Sequence, residues 1–374
     1  MAGIYIHIPF CKQRCTYCDF YTEVAPGFVS SLLEALIQEL KIRSNYIQEP
    51  VSTIYFGGGT PSLLSHSQLK SLFDTIFSVY NVVTDAEITV EANPDDLTLN
   101  YLSEISQLPV NRLSIGIQSF DNDDLKLLNR RHTSTQAVEA VKNAQNVGFN
   151  NISVDLIYGL PLQTTNKWNQ QLNSVFSLGV QHISAYGLTY EKGTRLWEQK
   201  SEGVVTEIDD ICMNRMYEDL LKYMKMNGFM AYEISNFAKP GFQSRHNSSY
   251  WKFKPYLGIG PSAHSFDGLS RQWNVSSIKQ YINALQNNTA YFEKEVLSVN
   301  DRYNDYIMVS LRTTKGVDMH FIEVNFGKDY ITHFLNSSSV FLKLKKMKKV
   351  ENNYRLTTKG IYVSNSIISD LMKV

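Results

Sequence analysis

The sequence predicts an α/β fold: a partial (β/α)6 barrel with added elements and a small, mainly helical C-terminal domain. Three observations lead there. Apolar, β-branched runs recur through the first half of the chain, helical patterns fill the gaps, and the residues with chemistry to offer stand just after the runs. The runs are Ile4 to Ile8, Thr53 to Phe56, Glu87 to Val90, Arg112 to Ile117, Ile152 to Ile157 and His182 to Leu188. In the first gap Val29, Leu32, Leu33, Leu36, Ile37 and Leu40 fall on one helical face, and Leu69, Leu72, Phe73, Ile76 and Phe77 repeat that pattern in the second. Strand followed by amphipathic helix, repeated, implies parallel strands joined by crossover helices. Six such units favour a closed or partial barrel over a doubly wound sheet.

Beyond about residue 200 the rhythm changes. A Met-rich helical segment from Cys212 to Met226, then Tyr232 to Phe237, a loop punctuated by Pro and Gly, and a helix from Ser276 to Gln286 read as structure added around the barrel. From about Phe292 the pattern is helical again, ending in a short strand and Gly360 before an amphipathic helix. The chain divides into a barrel core at 1–230, an extension at 231–290 and a C-terminal domain at 291–374.

Composition narrows the function. Lys and Arg number 36 and so do Asp and Glu, so no global field draws a polyanion and nucleic acid is not expected as a partner. No run approaches the roughly 18 apolar residues that cross a bilayer. The opening GIYIHIPF is too short for a signal peptide and lacks a basic flank. A cytoplasmic protein is expected, with membrane contact at most transient.

Three of the four cysteines, Cys11, Cys15 and Cys18, share one eight-residue window just after the first strand, where Pro9 stops it. In a reducing compartment such a cluster reads as metal-binding or catalytic. Thiolates are soft ligands suited to zinc or iron–sulfur clusters, and a purely structural site takes four protein ligands. Only three are local, which leaves one metal position open; zinc completed by His7 is the plainer alternative. Cys212 lies in a helical pattern and reads as a small buried residue. Lys343, Lys345, Lys346, Lys348 and Lys349 read as a solvated face, with contact to anionic lipid the lesser reading.

The segment YIHIPFCKQRCTYCDF resembles the C-x3-C-x2-C loop of the radical S-adenosylmethionine superfamily. That resemblance implies a TIM-type radical SAM barrel with a [4Fe–4S] cluster on Cys11, Cys15 and Cys18, its fourth iron open to S-adenosylmethionine. It also implies an external electron donor such as flavodoxin or ferredoxin. Further motifs carry cofactor contacts by the same resemblance. They are Tyr5 and Tyr17 around the cysteine loop, Gly58, Gly59 and Thr60 in GGGTP, and Glu91 in VEANP. Gln118 in SIGIQSF, Arg130 in LLNRR and Asp155 in VDLIYGLP resemble positions in a subgroup that binds a second S-adenosylmethionine.

Nearly the whole chain is similar to the oxygen-independent coproporphyrinogen III oxidases and their relatives. True oxidases add a fourth cysteine one residue past the third and extend the chain before the first strand. Here Asp19 and Phe20 follow Cys18, and the first strand starts at once. Both departures resemble the haem chaperone branch instead. That branch carries HNxxYW, which reads His246-Asn247-Ser248-Ser249-Tyr250-Trp251 in this chain. A histidine can supply an axial nitrogen to haem iron, and Tyr and Trp offer flat faces to a porphyrin. The resemblance implies a haem-binding motif at His246, Asn247, Tyr250 and Trp251. It also implies transfer of haem to an acceptor protein, with membrane-associated respiratory proteins among the candidates. An oxidase that decarboxylates coproporphyrinogen III and a radical methyltransferase remain the enzymatic alternatives.

Overall fold

The computed structural model describes residues 1–24 and 26–374. Six parallel strands form its centre: β1 (Ala2–Ile8), β2 (Val51–Gly58), β3 (Val82–Ala92), β4 (Arg112–Gln118), β5 (Ile152–Tyr158) and β6 (His182–Gly187). They pair in chain order, each parallel to the next. Crossover helices α1 (Val29–Ile42), α2 (His66–Val79), α3 (Leu99–Ile105), α4 (Asn122–Leu127), α5 (Ser134–Asn146) and α6 (Thr165–Ser177) make this connectivity possible.

The strands alternate in a way that explains both faces. Ile4, Ile6 and Ile8 of β1, Ile54 and Phe56 of β2, and Leu113, Ile115 and Ile117 of β4 are all buried beneath the helices. Phe56 meets Phe73 of α2 edge to face, ring centroids 5.1 Å apart. The intervening residues are polar or aromatic: Tyr5 and His7, Thr53 and Tyr55, Glu87 and Glu91, Arg112 and Ser114, Ser153 and Asp155, His182 and Ser184. By the two-residue period of a strand these share the other face, the barrel interior.

After β6 come α7 (Arg195–Ser201), α8 (Asp210–Met226) and the short pair β7 (Met230–Ala231) and β8 (Asn236–Ala238); β8 lies antiparallel to β6. Trp168 of α6 donates its indole N–H to the Met216 carbonyl of α8 at 3.0 Å, clamping the two helices. Next come α9 (Arg245–Trp251), β9 (Tyr256–Ile259), β10 (His264–Phe266), β11 (Ser270–Asn274), α10 (Ile278–Gln286) and β12 (Phe292–Val296). The sheet order is β12-β11-β10-β9-β1-β2-β3-β4-β5-β6-β8-β7, so the barrel stays open between its outer strands. Residues 231–290 are thus woven into the barrel's own sheet, β9 running parallel to β1.

Phe292–Val296 departs from the helical expectation. Its five residues form an exposed edge strand antiparallel to β11. The sequence FEKEV places charges on a short edge, a composition that discourages further pairing. Beyond it, α11 (Val299–Ser310), β13 (Val317–Asp318), α12 (Met319–Phe326), α13 (Lys328–Lys343), β14 (Met347–Val350), β15 (Asn353–Leu356), α14 (Thr358–Ile361) and α15 (Ser364–Leu371) complete the chain. Tyr303, Ile307, Phe334, Tyr354 and Ile367 belong to a second hydrophobic core here, separate from that of the barrel. Backbone bonds from Ile234 to Arg312 (3.0 Å) and from Thr314 to Tyr232 (3.2 Å) tie this part to the barrel. Among the described residues no helix is long and apolar enough to cross a membrane.

Candidate functional site

The cysteine loop leaves the C-terminal end of β1 and is held without regular structure of its own. Cys11 N donates to the Glu23 carbonyl (3.1 Å) and Glu23 N to that of Pro9 (2.7 Å), closing the loop. Thr16 pins its far side, its N–H bonding Leu128 O at 3.1 Å and its hydroxyl Leu127 O at 2.9 Å. The three cysteines are half-buried and line a cavity of about 550 Å3 at this end of the barrel. Burial pushes the Cys18 thiol up to about 11 and raises that of Cys11 as well. Ligation would therefore have to release protons from these thiols.

Two neighbours favour sulfur as a ligand. The Thr60 hydroxyl donates to Cys11 Sγ at 3.4 Å, and Arg130 Nη1 donates to Cys15 Sγ at 3.2 Å. Among the described residues no three His, Cys, Asp or Glu side chains converge on one metal-ion position. Three soft thiolate donors lining one cavity fit an iron–sulfur cluster. His7 does not join them: its Nδ1 bonds the Tyr5 hydroxyl (3.0 Å) and its Nε2 the Tyr21 carbonyl (3.3 Å).

Glycines shape the adjoining wall. Gly58 has φ +106° and a Cβ there would stand 2.5 Å from the His7 ring; at Gly59 it would meet the Phe10 and Ile8 carbonyl oxygens at 2.6 and 2.8 Å. Only glycine brings this backbone so close to β1. The Gly58 amide donates to Glu91 Oε2 at 3.2 Å, and the Tyr55 hydroxyl donates to Oε1 at 2.7 Å. Burial lifts the Glu91 carboxyl to about 7, with Asp155 pushing the same way and the two hydrogen bonds opposing. Asp155, raised by burial, accepts weakly from Ser114 Oγ at 3.4 Å.

β4 ends in a register shift between Gly116 and Gln118, and Gln118 adopts φ +69°. The bulge re-aims Gln118 into the cavity at a backbone cost of about 1 kcal/mol. Arg130 reaches across the end of β4, bonding Gly116 O (2.6 Å) and Asn93 Oδ1 (2.5 Å) as well as Cys15. Its Nε is buried without a protein partner, a donor left over for a ligand.

Cys11, Cys15, Cys18, Tyr17, Gly58, Gly59, Thr60, Glu91, Gln118, Arg130 and Asp155 therefore line a single cavity. Tyr5 does not line it and instead bonds His7 through its hydroxyl at 3.0 Å. Residues the motifs did not single out complete the site. Asn93 receives Arg130, and Asp96 binds Lys12 of the cysteine loop (2.7 Å) and Arg131 (3.4 Å). Their signal was the run NPDD that begins two residues after Glu91.

The HNxxYW residues stand at the other end of the barrel. Glu87 of β3 accepts the backbone N–H groups of Arg245 and His246, both at 2.9 Å, and so anchors the first turn of α9. Ser244 Oγ accepts from Asn247 N at 3.2 Å as the N-cap. His246 is 1% exposed; its Nδ1 pairs with Thr53 Oγ1 at 2.8 Å and its Nε2 with the Tyr250 hydroxyl at 2.9 Å. Burial, reinforced by Arg112, lowers its pKa to about 3, so it is neutral. Trp251 keeps its indole N–H buried without a partner. Thr53 and Gly3 lie near the starts of their strands while the cysteines follow the end of β1; the five steps from Gly3 to Ile8, at about 3.3 Å each, span roughly 17 Å.

A three-cysteine loop, a glycine-lined wall and acidic side chains at the ends of parallel strands define a radical S-adenosylmethionine protein, and the Radical SAM superfamily model matches residues 5–172. The particular branch follows from whole-chain similarity. The chain is 36% identical to Heme chaperone HemW of Bacillus subtilis, covering 88% of each chain. It is 32% identical to the Lactococcus lactis protein of that name, over 98% of this chain and 96% of that one. The chain belongs to the HemW haem chaperone family. The fold is also that of the Escherichia coli coproporphyrinogen III oxidase HemN, a radical SAM enzyme. That likeness covers all of this chain and 90% of the other, with a TM-score of 0.86 at 23% identity.

Proposed function

We propose that this protein binds haem at α9, holds a [4Fe–4S] cluster and S-adenosylmethionine at the opposite end of its barrel, and passes haem to an acceptor protein. The observation that carries the reading is the helix Arg245–Trp251, which contains His-Asn-Ser-Ser-Tyr-Trp, in a chain whose near-full-length relatives are named heme chaperones. Cys11, Cys15 and Cys18 would hold the cluster, which when bound supplies an electron and one open iron position. Glu91 and Asp155 would offer carboxylates to the positive groups of S-adenosylmethionine, and Arg130 and Gln118 would offer donors to its carboxylate. His246, once freed from Thr53 and Tyr250, would offer a ring nitrogen to haem iron. An electron donor of flavodoxin or ferredoxin class would serve the cluster.

The test is an anaerobic assay of reconstituted protein with S-adenosylmethionine, haem and coproporphyrinogen III. Stable haem binding that His246→Ala weakens at least tenfold, followed by haem loss to an apo-acceptor, is the expected outcome. Decarboxylation of coproporphyrinogen III, or methyl transfer with no haem bound, would assign an enzyme instead.

A further inference from the structure

Tyr55 links the two ends of the barrel. Tyr55 of β2 is 7% exposed and lies between them. Its hydroxyl holds Glu91 at 2.7 Å, on the cavity side. Its ring stacks on His246 of α9, centroids 5.0 Å apart and planes inclined by 24°. The barrel wall is cut to fit both contacts. A Cβ at Gly57 would stand 2.9 Å from the Tyr55 ring and 3.1 Å from the Glu91 carboxylate, and one at Gly3 would stand 3.2 Å from the His246 ring. Tyr5 covers the remaining side, stacked 6.2 Å from Tyr55.

We infer that Tyr55 is a positioning residue that makes S-adenosylmethionine and haem oppose each other: withdrawing His246 towards a ligand removes the support under Tyr55, and Tyr55 then loosens its hold on Glu91. The inference rests on the reading that Glu91 serves S-adenosylmethionine and His246 serves haem. Two discrete arrangements of one packed stack are enough to carry it. Linkage makes the effect reciprocal, so S-adenosylmethionine draws His246 back and favours haem release.

A double-mutant cycle on cluster-reconstituted, haem-free, full-length protein tests it, with S-adenosylmethionine affinity read by calorimetry. Tyr55→Phe should weaken binding roughly tenfold, the loss of one hydrogen bond to a charged group. His246→Ala should weaken it roughly threefold in the native background, and not at all once Tyr55 is Phe. His182 provides the control for general loosening. It is equally buried, and its ring nitrogens are likewise held by a hydroxyl and a tyrosine, Ser153 (2.7 Å) and Tyr232 (2.8 Å). His182→Ala should leave the affinity unchanged.

The inference is overturned if His246→Ala acts equally in both backgrounds, has no effect in either, or is matched by His182→Ala. Haem titration of the native protein with and without S-adenosylmethionine separates the two readings. Binding that S-adenosylmethionine fails to weaken refutes the opposition alone. A native protein that takes up no haem refutes the haem assignment, while the cycle still decides the role of Tyr55.

Discussion

Glu91 shows how a single side chain can be costly to the fold and useful to a ligand. Its carboxyl is lifted from an ordinary value of 4.5 to about 7 by burial. Below pH 4.5 it is protonated in both folded and unfolded chains. As pH rises towards 7 the unfolded chain gives up the proton that the folded chain keeps, and stability is lost. Glu91→Gln should therefore raise the melting temperature of the ligand-free protein at pH 8 and change it little at pH 4. A cationic ligand reverses the preference. S-adenosylmethionine affinity should climb as pH passes through about 7 in the native protein and stay flat and weak in Glu91→Gln. A native profile with no rise between pH 6 and 8 would show that Glu91 does not face the ligand's positive charge. The motif VEANP located this residue; its partner Tyr55 escaped notice because a tyrosine in an apolar strand reads as core, and only the pairing of β2 with β3 sets it against Glu91.

At the scale of the element, two features place the chemistry. Gly59 permits the turn after β2 to press on the start of the cysteine loop, where any Cβ would meet carbonyl oxygens at 2.6 and 2.8 Å. Backbone cannot yield as a side chain can, so Gly59→Ala should displace the loop. We expect iron and sulfide incorporation to fall at least severalfold while far-UV circular dichroism stays native. Glu87 performs the comparable service for α9. Glu87→Gln should cost roughly 1–2 kcal/mol, the worth of a charged partner at a helix N-terminus. Hydrogen exchange should then show faster opening of Arg245–Trp251 before any other helix; unchanged protection there would remove Glu87 as its anchor. The core strands β1 to β6 were legible because period-two alternation and length distinguish them from helices. Phe292–Val296 was not, since five exposed residues with three charges at their centre carry no burial signal and become a strand only by pairing with β11. The bulge at Gln118 was equally hidden: nothing in SIGIQSF announces a residue at φ +69°.

For the whole molecule, the arrangement of the two sites matters more than either alone. Both lie on the same β1–β2 pair, yet at opposite ends of it, because α9 returns beneath the barrel after the chain has passed through β8. Sequence spacing carries no record of that return. The cysteine loop was placed correctly by its position after β1, whereas HNxxYW had no neighbouring strand order to say which end it would take. The separation has a direct consequence. If haem binds through α9, the cysteine loop is not part of its site, and the triple substitution Cys11→Ser, Cys15→Ser, Cys18→Ser should abolish the cluster yet leave haem affinity within about threefold of native, a shift under roughly 1 kcal/mol. Conversely, haem seated in the 550 Å3 cavity would touch the loop directly, and the same variant would lose it. Absorbance titration of the cluster-free variant distinguishes the two. The C-terminal part bears on this through Arg312 and Thr314, which bond the backbone of Ile234 and Tyr232 between β7 and β8. Tyr232 in turn holds His182 inside the barrel. Thr314 of the C-terminal part is thus joined through Tyr232 to His182 of β6 by two hydrogen bonds.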